Sequence, residues 1–117
     1  MTGSTPLMSL LQGYLKVTSD RQQLVASNIA NADTPGYHTK DINFQTAMQQ
    51  AVNENGNVRL TPAVNEVEGL TERPDGNNVN IDRESLLLGE TQLQYQVGVQ
   101  LIKEEFHRLL IAIKEGS

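Results

Sequence analysis

The sequence contains no cysteine, only 3 tyrosines and 2 phenylalanines as aromatic residues, and little basic charge. Without cysteine, the chain of 117 residues cannot form disulfides, thiolate metal sites or a cysteine nucleophile. Nine lysines and arginines stand against 14 aspartates and glutamates, and this net charge of −5 argues against a nucleic-acid groove or an anionic membrane surface as the partner. The length fits one domain and excludes most multi-step enzymes.

Long apolar runs are missing as well. Lys16, Asp20 and Arg21 interrupt the N-terminal run well short of the roughly 20 residues that span a bilayer. The first residues lack a basic region and a small-residue cleavage site, so we expect no cleaved secretion signal. We therefore expect a chain that is not inserted in a membrane and that could leave the cytoplasm only through a machine reading an uncleaved signal.

Helical periodicity is present near the N-terminus. Thr5 is a good N-cap, and Pro6 suits the first helical position because its missing N–H would be unpaired there anyway. Pro35 disfavours helical backbone at the residue before it. These signals predict a helix over residues 5–32.

A second helix is predicted over residues 81–115, with Asn80 or Asp82 as its cap and Gly116 at its end. Its apolar residues recur at alternating spacings of four and three, which is the seam of a coiled coil. The seam consists of Leu88, Gln92, Tyr95, Val99, Ile102, Phe106, Leu109 and Ile113. A second apolar line consists of Leu86, Leu93, Val97 and Leu101.

One partner helix cannot cover both apolar lines. The spacing leaves two interpretations open: a monomeric helical hairpin with a broad seam, or a subunit whose extra faces are buried by copies or paralogues. Residues 33–80 show no sustained period and are predicted to form a turn and loop region, with short strands around 57–60 and 64–70. The fold class is therefore mainly α, with one domain over residues 1–117.

The chain offers little for catalysis. His38 and His107 are its only histidines, and neither has a metal-ligand partner at the helical i, i+4 spacing. Asp33, His38 and Asp41 cluster around a turn, where aspartate more often bonds the local backbone than performs chemistry. We therefore predict no catalytic, cofactor or metal site, and no small-molecule substrate.

The end of the first helix carries the most specific pattern. Asn28 and Asn31 are poor residues inside a helix but good ones near its end, where their amides can bond backbone groups of their own chain or of a neighbouring subunit. Thr34-Pro35-Gly36-Tyr37 favours a stiff turn. An ordinary helix-to-loop exit is the alternative. The candidate subunit-assembly motif comprises Asn28, Ile29, Asn31, Thr34, Pro35, Gly36 and Tyr37.

This run, ASNIANADTPGY over residues 26–37, resembles the N-terminal signature of the bacterial flagellar rod, hook and hook-filament junction proteins. Residues 41–44 and 77–84 extend the likeness, which then looks most like the proximal-rod subunits. The resemblance covers about residues 5–50 and 76–115. The central segment, 53–75, resembles nothing that we can place.

The resemblance implies a structural subunit without enzymatic activity. In this family the terminal helices pair as an antiparallel coiled coil and pack around a central channel, which builds a hollow, torque-transmitting tube required for motility. The implied partners are copies of the chain, other rod proteins, the hook-basal body adapter protein, the MS ring and the export gate. The implied location is the basal-body rod, which crosses the periplasm, after export by the flagellar type III apparatus without signal cleavage.

Phe44 and Met48 resemble the Phe-x-x-x-apolar element by which rod and hook subunits dock on the export gate. An aromatic and a methionine one helical turn apart could form such a two-point anchor. A role in core packing is the alternative at these two positions.

Two other functions remain open at this stage. One keeps the structural class but makes the chain another rod subunit or a needle-type filament subunit, and the Thr-Pro-Gly-Tyr turn with its asparagines counts against a needle. The other is a small helical adaptor or secretion chaperone that acts as a soluble dimer through the seam.

Overall fold

The computed structural model describes residues 5–53 and 63–116, which form an elongated body of 67 × 24 × 17 Å. In chain order the elements are α1 (Pro6–Ala30), β1 (Lys40–Ile42), α2 (Phe44–Asn53), β2 (Val64–Glu66) and α3 (Ile81–Glu115). The two terminal helices dominate the fold, because 25 and 35 residues at about 1.5 Å per residue give them most of the long dimension.

Both long helices begin at capped residues. The Thr5 hydroxyl accepts a hydrogen bond from the Met8 N–H at 3.0 Å, with Pro6 in the first helical position as predicted. Of the two candidate caps for α3, Asn80 is the one used, and its side chain accepts from the Arg83 N–H at 3.0 Å.

The two helices run antiparallel along one another. Asn28 near the end of α1 bonds Glu84 in the first turn of α3, and Leu15 at mid-α1 lies against Gly98. Met8 at the start of α1 lines a groove with the last turns of α3. The predicted fold class, a helical hairpin with an irregular middle segment, is confirmed.

The contact line on α3 differs from the predicted seam. The positions of α3 that are buried recur every seven residues, at Glu84, Thr91, Gly98 and Glu105. The two small residues let α1 approach closely: a Cβ atom at Gly98 would lie only 2.7 Å from Leu15 Cδ2. The Thr91 hydroxyl bonds the Leu88 carbonyl at 3.0 Å, so it needs no partner on α1.

The predicted seam flanks this line instead of forming it. Val99, Ile102 and Leu109 are half-buried, whereas Tyr95, Phe106 and Ile113 are exposed within the single chain. Burial within one chain does not test the seam, which stays a prediction. Apolar spacing identified the helix, but close approach between two helices selects small side chains that apolar spacing does not mark.

The middle segment is more ordered than predicted. The Asn43 side chain caps α2 by accepting from the Thr46 N–H at 3.0 Å. β1 and β2 pair antiparallel, with Lys40 opposite Glu66 and Ile42 opposite Val64. β2 falls within the strand predicted around 64–70, β1 and α2 were predicted as loop, and the strand predicted around 57–60 lies outside the described residues.

A small apolar core joins these elements. Val17 of α1, Ile42 of β1 and Ala47 of α2 are buried together. Partly buried apolar side chains surround them, namely Leu24, Phe44 and Met48. This core holds β1 and α2 against α1. It therefore helps to position the segment that connects α1 to α3.

Candidate assembly site

Asn28 lies at the junction of α1, β1 and α3. Its side chain is 1% exposed. Its Nδ2 donates to the Lys40 carbonyl at 2.8 Å and to Glu84 Oε1 at 2.6 Å, while its Oδ1 accepts from the Lys40 N–H at 3.1 Å and from the Tyr37 hydroxyl at 2.9 Å. The amide thus pairs both backbone groups of Lys40, as a neighbouring strand would, and its hydrogen-bonding capacity is used inside the chain.

A run of charges continues from this amide. Glu84 is fully buried and also accepts a hydrogen bond from Arg83. Arg83 lies 3.4 Å from Asp41, and Asp41 receives two hydrogen bonds from Arg21 at 3.0 and 3.1 Å. This paired geometry is the strong form of an arginine–carboxylate contact, and the hydrogen bond with Asp41 raises the pKa of Arg21. The buried carboxylate is therefore compensated rather than isolated.

The chain leaves α1 through a tight turn. Asn31 is the C-cap of the helix, its Nδ2 donates to the Ser27 carbonyl at 2.8 Å, and its Oδ1 accepts from the Thr34 hydroxyl at 3.1 Å. Gly36 has a φ of 75°, in the left-handed region that favours glycine. A Cβ atom at Gly76 would lie 3.3 Å from the Gly36 backbone, so two glycines meet where the chain leading to α3 crosses this turn.

Two buried asparagines tie the segment before α3 to the turn. Asn77 donates to the Asn31 and Thr34 carbonyls at 2.9 and 2.8 Å. Asn78 accepts from the Thr39 N–H at 2.7 Å and from the Thr39 hydroxyl at 2.9 Å. The Asn77 side chain therefore adds a second hydrogen bond to two carbonyls of the turn after α1, which also accept from the Thr34 and Tyr37 N–H groups.

Two residues of the motif bond within the folded chain, and the role of the motif in assembly stays a prediction. Asn28 and Tyr37 hold this chain together, because their side chains bond each other and buried groups of the same chain. Thr34, Pro35 and Gly36 are exposed on the turn. The remaining two motif residues, Ile29 and Asn31, are half-buried. Of the seven motif residues only Asn28 is fully buried, so the other six, Tyr37 included, keep surface for another subunit.

The sequence prediction did not anticipate the long-range hydrogen bonds of five residues of this site: Arg21, Asp41, Asn77, Asn78 and Glu84. The expected local backbone bond of Asp41 is present, because its Oδ1 accepts from the Ile42 N–H at 2.7 Å. Two of the segments that contain these five residues were noted only for their resemblance. The signal available was the asparagine pair just before the cap of α3 and a glutamate in its first turn. Without the fold, neither feature indicates that these side chains bond the α1 exit, the turn over residues 31–37 by which the chain leaves α1.

Asp41 and His38, which were predicted to cluster around a turn, have different partners in the structure. Asp41 faces arginines, and His38 lies between Glu66 and Glu72. Within residues 5–53 and 63–116, no group of three histidines, aspartates or glutamates is arranged to hold a metal ion. In that same part of the chain, neither long helix has an apolar stretch long enough to cross a membrane.

Phe44 and Met48 pack inside the folded chain. The Phe44 ring meets the Tyr14 ring edge to face, with 5.6 Å between centroids. Met48 contacts the core around Val17. In the folded state these two side chains therefore pack within the chain. Docking on an export gate would need them to be accessible, which is the case before the chain folds.

Apolar side chains remain exposed along α3. They are Leu86, Leu93, Val97 and Leu101, which form the second predicted line, together with Ile81, Tyr95, Phe106, Leu110, Ile111 and Ile113. Leu86 and Leu93 are 71% and 62% exposed. Near the end of α3, an apolar groove of about 300 Å³ lies between Met8 and Phe106. This surface is far more apolar than a lone helical hairpin requires.

Comparison with known proteins identifies the family. A family model described as flagella basal body rod protein matches residues 12–38, which include the end of α1 and its turn. The flagellar basal body rod protein FlgB of Salmonella typhimurium is 31% identical over 126 residues, covering 91% of each chain. The chain belongs to the FlgB family of flagellar basal body rod proteins. The family proteins of Agrobacterium fabrum and Aeromonas hydrophila are 35% and 33% identical, over 90% and 88% of this chain.

Proposed function

We propose that this chain is a structural subunit of the proximal rod of the bacterial flagellar basal body. It assembles through its two terminal helices into a hollow tube that transmits motor torque. It has no enzymatic role and binds no cofactor. The first support is membership of the FlgB family, whose relatives compared above are flagellar basal body rod proteins.

The observation that carries the proposal is the unpartnered apolar face of α3. Leu86 and Leu93 lie one heptad apart, and both are more than half exposed. Burying apolar surface stabilises association by about 25 cal/mol per Å². A subunit surrounded by neighbours in a tube would bury this face, whereas a monomer would leave it in water.

Copies of the chain and other rod proteins are the proposed neighbours along this face. The hook-basal body adapter protein, the MS ring and the export gate are proposed as further partners at the ends of the rod. The exposed turn at Thr34, Pro35 and Gly36, with Ile29 and Asn31 beside it, is the proposed second contact between subunits. The charge of −5 makes nucleic acid an unsuitable partner.

Export is proposed to precede folding. The subunit would pass the flagellar type III apparatus without signal cleavage, and Phe44 with Met48 would be accessible to the export gate while the chain is extended. After export the same two side chains pack on α1, as they do in the folded chain. The rod location, crossing the periplasm, follows from this route.

The test is deletion of the gene in the source bacterium, followed by complementation. The deletion strain should be non-motile and should yield basal bodies without rods, and the restored chain should purify with the basal bodies. A stable dimer that stays in the cytoplasm would instead favour a secretion chaperone. A motile deletion strain with complete rods would contradict the proposed function.

A further inference from the structure

His38 lies between two carboxylates from separate parts of the middle segment. Its Nδ1 is 2.8 Å from Glu66 Oε1 in β2, and its Nε2 is 2.7 Å from Glu72 Oε1 in the loop that follows. Gly69, with a φ of 83°, turns the chain between the two glutamates. One imidazole ring therefore joins both sides of the turn to the segment that leads into β1.

This geometry depends on the protonation state of the ring. A neutral imidazole carries one N–H donor and one lone pair, so it can bond only one carboxylate and presents a lone pair to the other. The imidazolium carries two N–H donors and satisfies both carboxylates at once. The arrangement of three side chains thus fits the charged ring and conflicts with the neutral one.

The carboxylates around His38 favour the same state, whereas the positive charge of Lys40 opposes it. Lys40 and Glu68 line the surface depression that contains the three residues, and Glu68 adds negative charge beside them. The hydrogen bond with Glu66, followed by that with Glu72, raises the pKa of His38 above its ordinary value. Since His38 is a solvent-accessible residue, its protonation can follow the pH outside the molecule.

We propose that His38, Glu66 and Glu72 form a pH-sensitive clamp that fastens β2 and the following loop to the α1 exit when the imidazole is charged. A raised histidine pKa in the folded state gives a contribution that is complete below the ordinary value of about 6.5 and is lost as the pH rises through the folded pKa. The clamp therefore opens on the alkaline side. This proposal does not rest on the proposed function.

The backbone bond from the Val67 N–H to the Thr39 carbonyl, 2.9 Å long, reports whether the clamp is closed. The experiment follows the His38 ring by NMR across a pH series in the full chain, and measures protection of the Val67 amide relative to its intrinsic exchange rate. The expected result is a His38 midpoint above that of the urea-unfolded chain, with Val67 protection falling as the pH passes that midpoint.

Substitutions distinguish the effect of the two hydrogen-bonded carboxylates from that of nearby negative charge in general. Glu66→Gln with Glu72→Gln should shift the His38 midpoint downward and remove the pH dependence of Val67 protection. Glu68→Gln is the matched control, because it removes a charge from the same depression while both imidazole nitrogens keep their partners. The proposal is overturned if the His38 midpoint equals that of the unfolded chain, or if the double variant leaves the midpoint or the Val67 protection profile unchanged.

Discussion

Asn28→Ala is the substitution that most directly tests how the chain holds the α1 exit against α3. The amide makes hydrogen bonds with Tyr37, Lys40 and Glu84, and alanine replaces none of them. Alanine favours helix more than asparagine does, so any loss of stability comes from the missing amide and not from helix propensity.

The expected loss in the free energy of unfolding depends on which of the Asn28 partners can bond water instead. Lys40 is exposed and Tyr37 is half-buried, so water replaces most of what they lose and each bond there counts for about 0.5 kcal/mol. Glu84 is fully buried, and a buried charged acceptor that loses a donor costs about 2 kcal/mol. We expect Asn28→Ala to lower the free energy of unfolding by about 3 to 4 kcal/mol, a large share of the 5 to 15 kcal/mol that is usual for a domain.

Urea unfolding followed by far-UV circular dichroism measures this loss. Asn31→Ala is the matched control, because its amide lies three residues away and, among the described residues, bonds Ser27 and Thr34 at a half-buried position. The control should cost less than about 1 kcal/mol. If Asn28→Ala costs no more than Asn31→Ala, the assignment of Asn28 to folding within the chain is refuted.

Further substitutions test packing, export and assembly. Gly89→Ala, with open space around it, should stabilise the chain by about 0.5 to 1 kcal/mol. Gly98→Ala should be less stable than Gly89→Ala by about 1 kcal/mol, because its new methyl meets the Leu15 side chain and the Tyr14 ring; thermal melts that reverse this order would contradict the helix contact. Phe44→Ala should cost about 2 kcal/mol in folding and reduce export, and a normally secreted variant that fails to build rods would assign Phe44 to packing alone. Asn31→Leu should leave expression and secretion near normal but abolish swimming, and a motile strain with intact rods would show that Asn31 acts only in the local helix exit.

The helices could be predicted from the sequence because their signals are local. Thr5 before Pro6, and Asn80 before an amphipathic run, satisfy backbone N–H groups within three residues of the cap. α2 has a comparable signal that the prediction did not use. Asn43 precedes apolar residues at the helical spacing of Phe44, Ala47 and Met48, and short helices of this kind are easily assigned to loop.

The site could be predicted only in part. The asparagines at the α1 exit were recognised as hydrogen-bonding residues, but their partners lie far along the chain, and local pattern gives no pairing. Asn28 bonds Glu84 across 56 residues, and Asn77 bonds Asn31 across 46. For the same reason, the contact line through Gly98 could not be read from apolar spacing, since it depends on which face of α3 meets Leu15.

The central claim is that the exposed face of α3 is buried between subunits in the flagellar rod. Because the chain contains no cysteine, Leu93→Cys introduces a single thiol on that face. We would measure its rate of labelling by a maleimide in purified basal bodies, in the free chain and in denatured basal bodies. We expect rapid labelling in the free and denatured samples and protection in intact basal bodies. A thiol that reacts in intact basal bodies as fast as in the free chain, or a chain that is absent from the basal bodies of a motile strain, would contradict it.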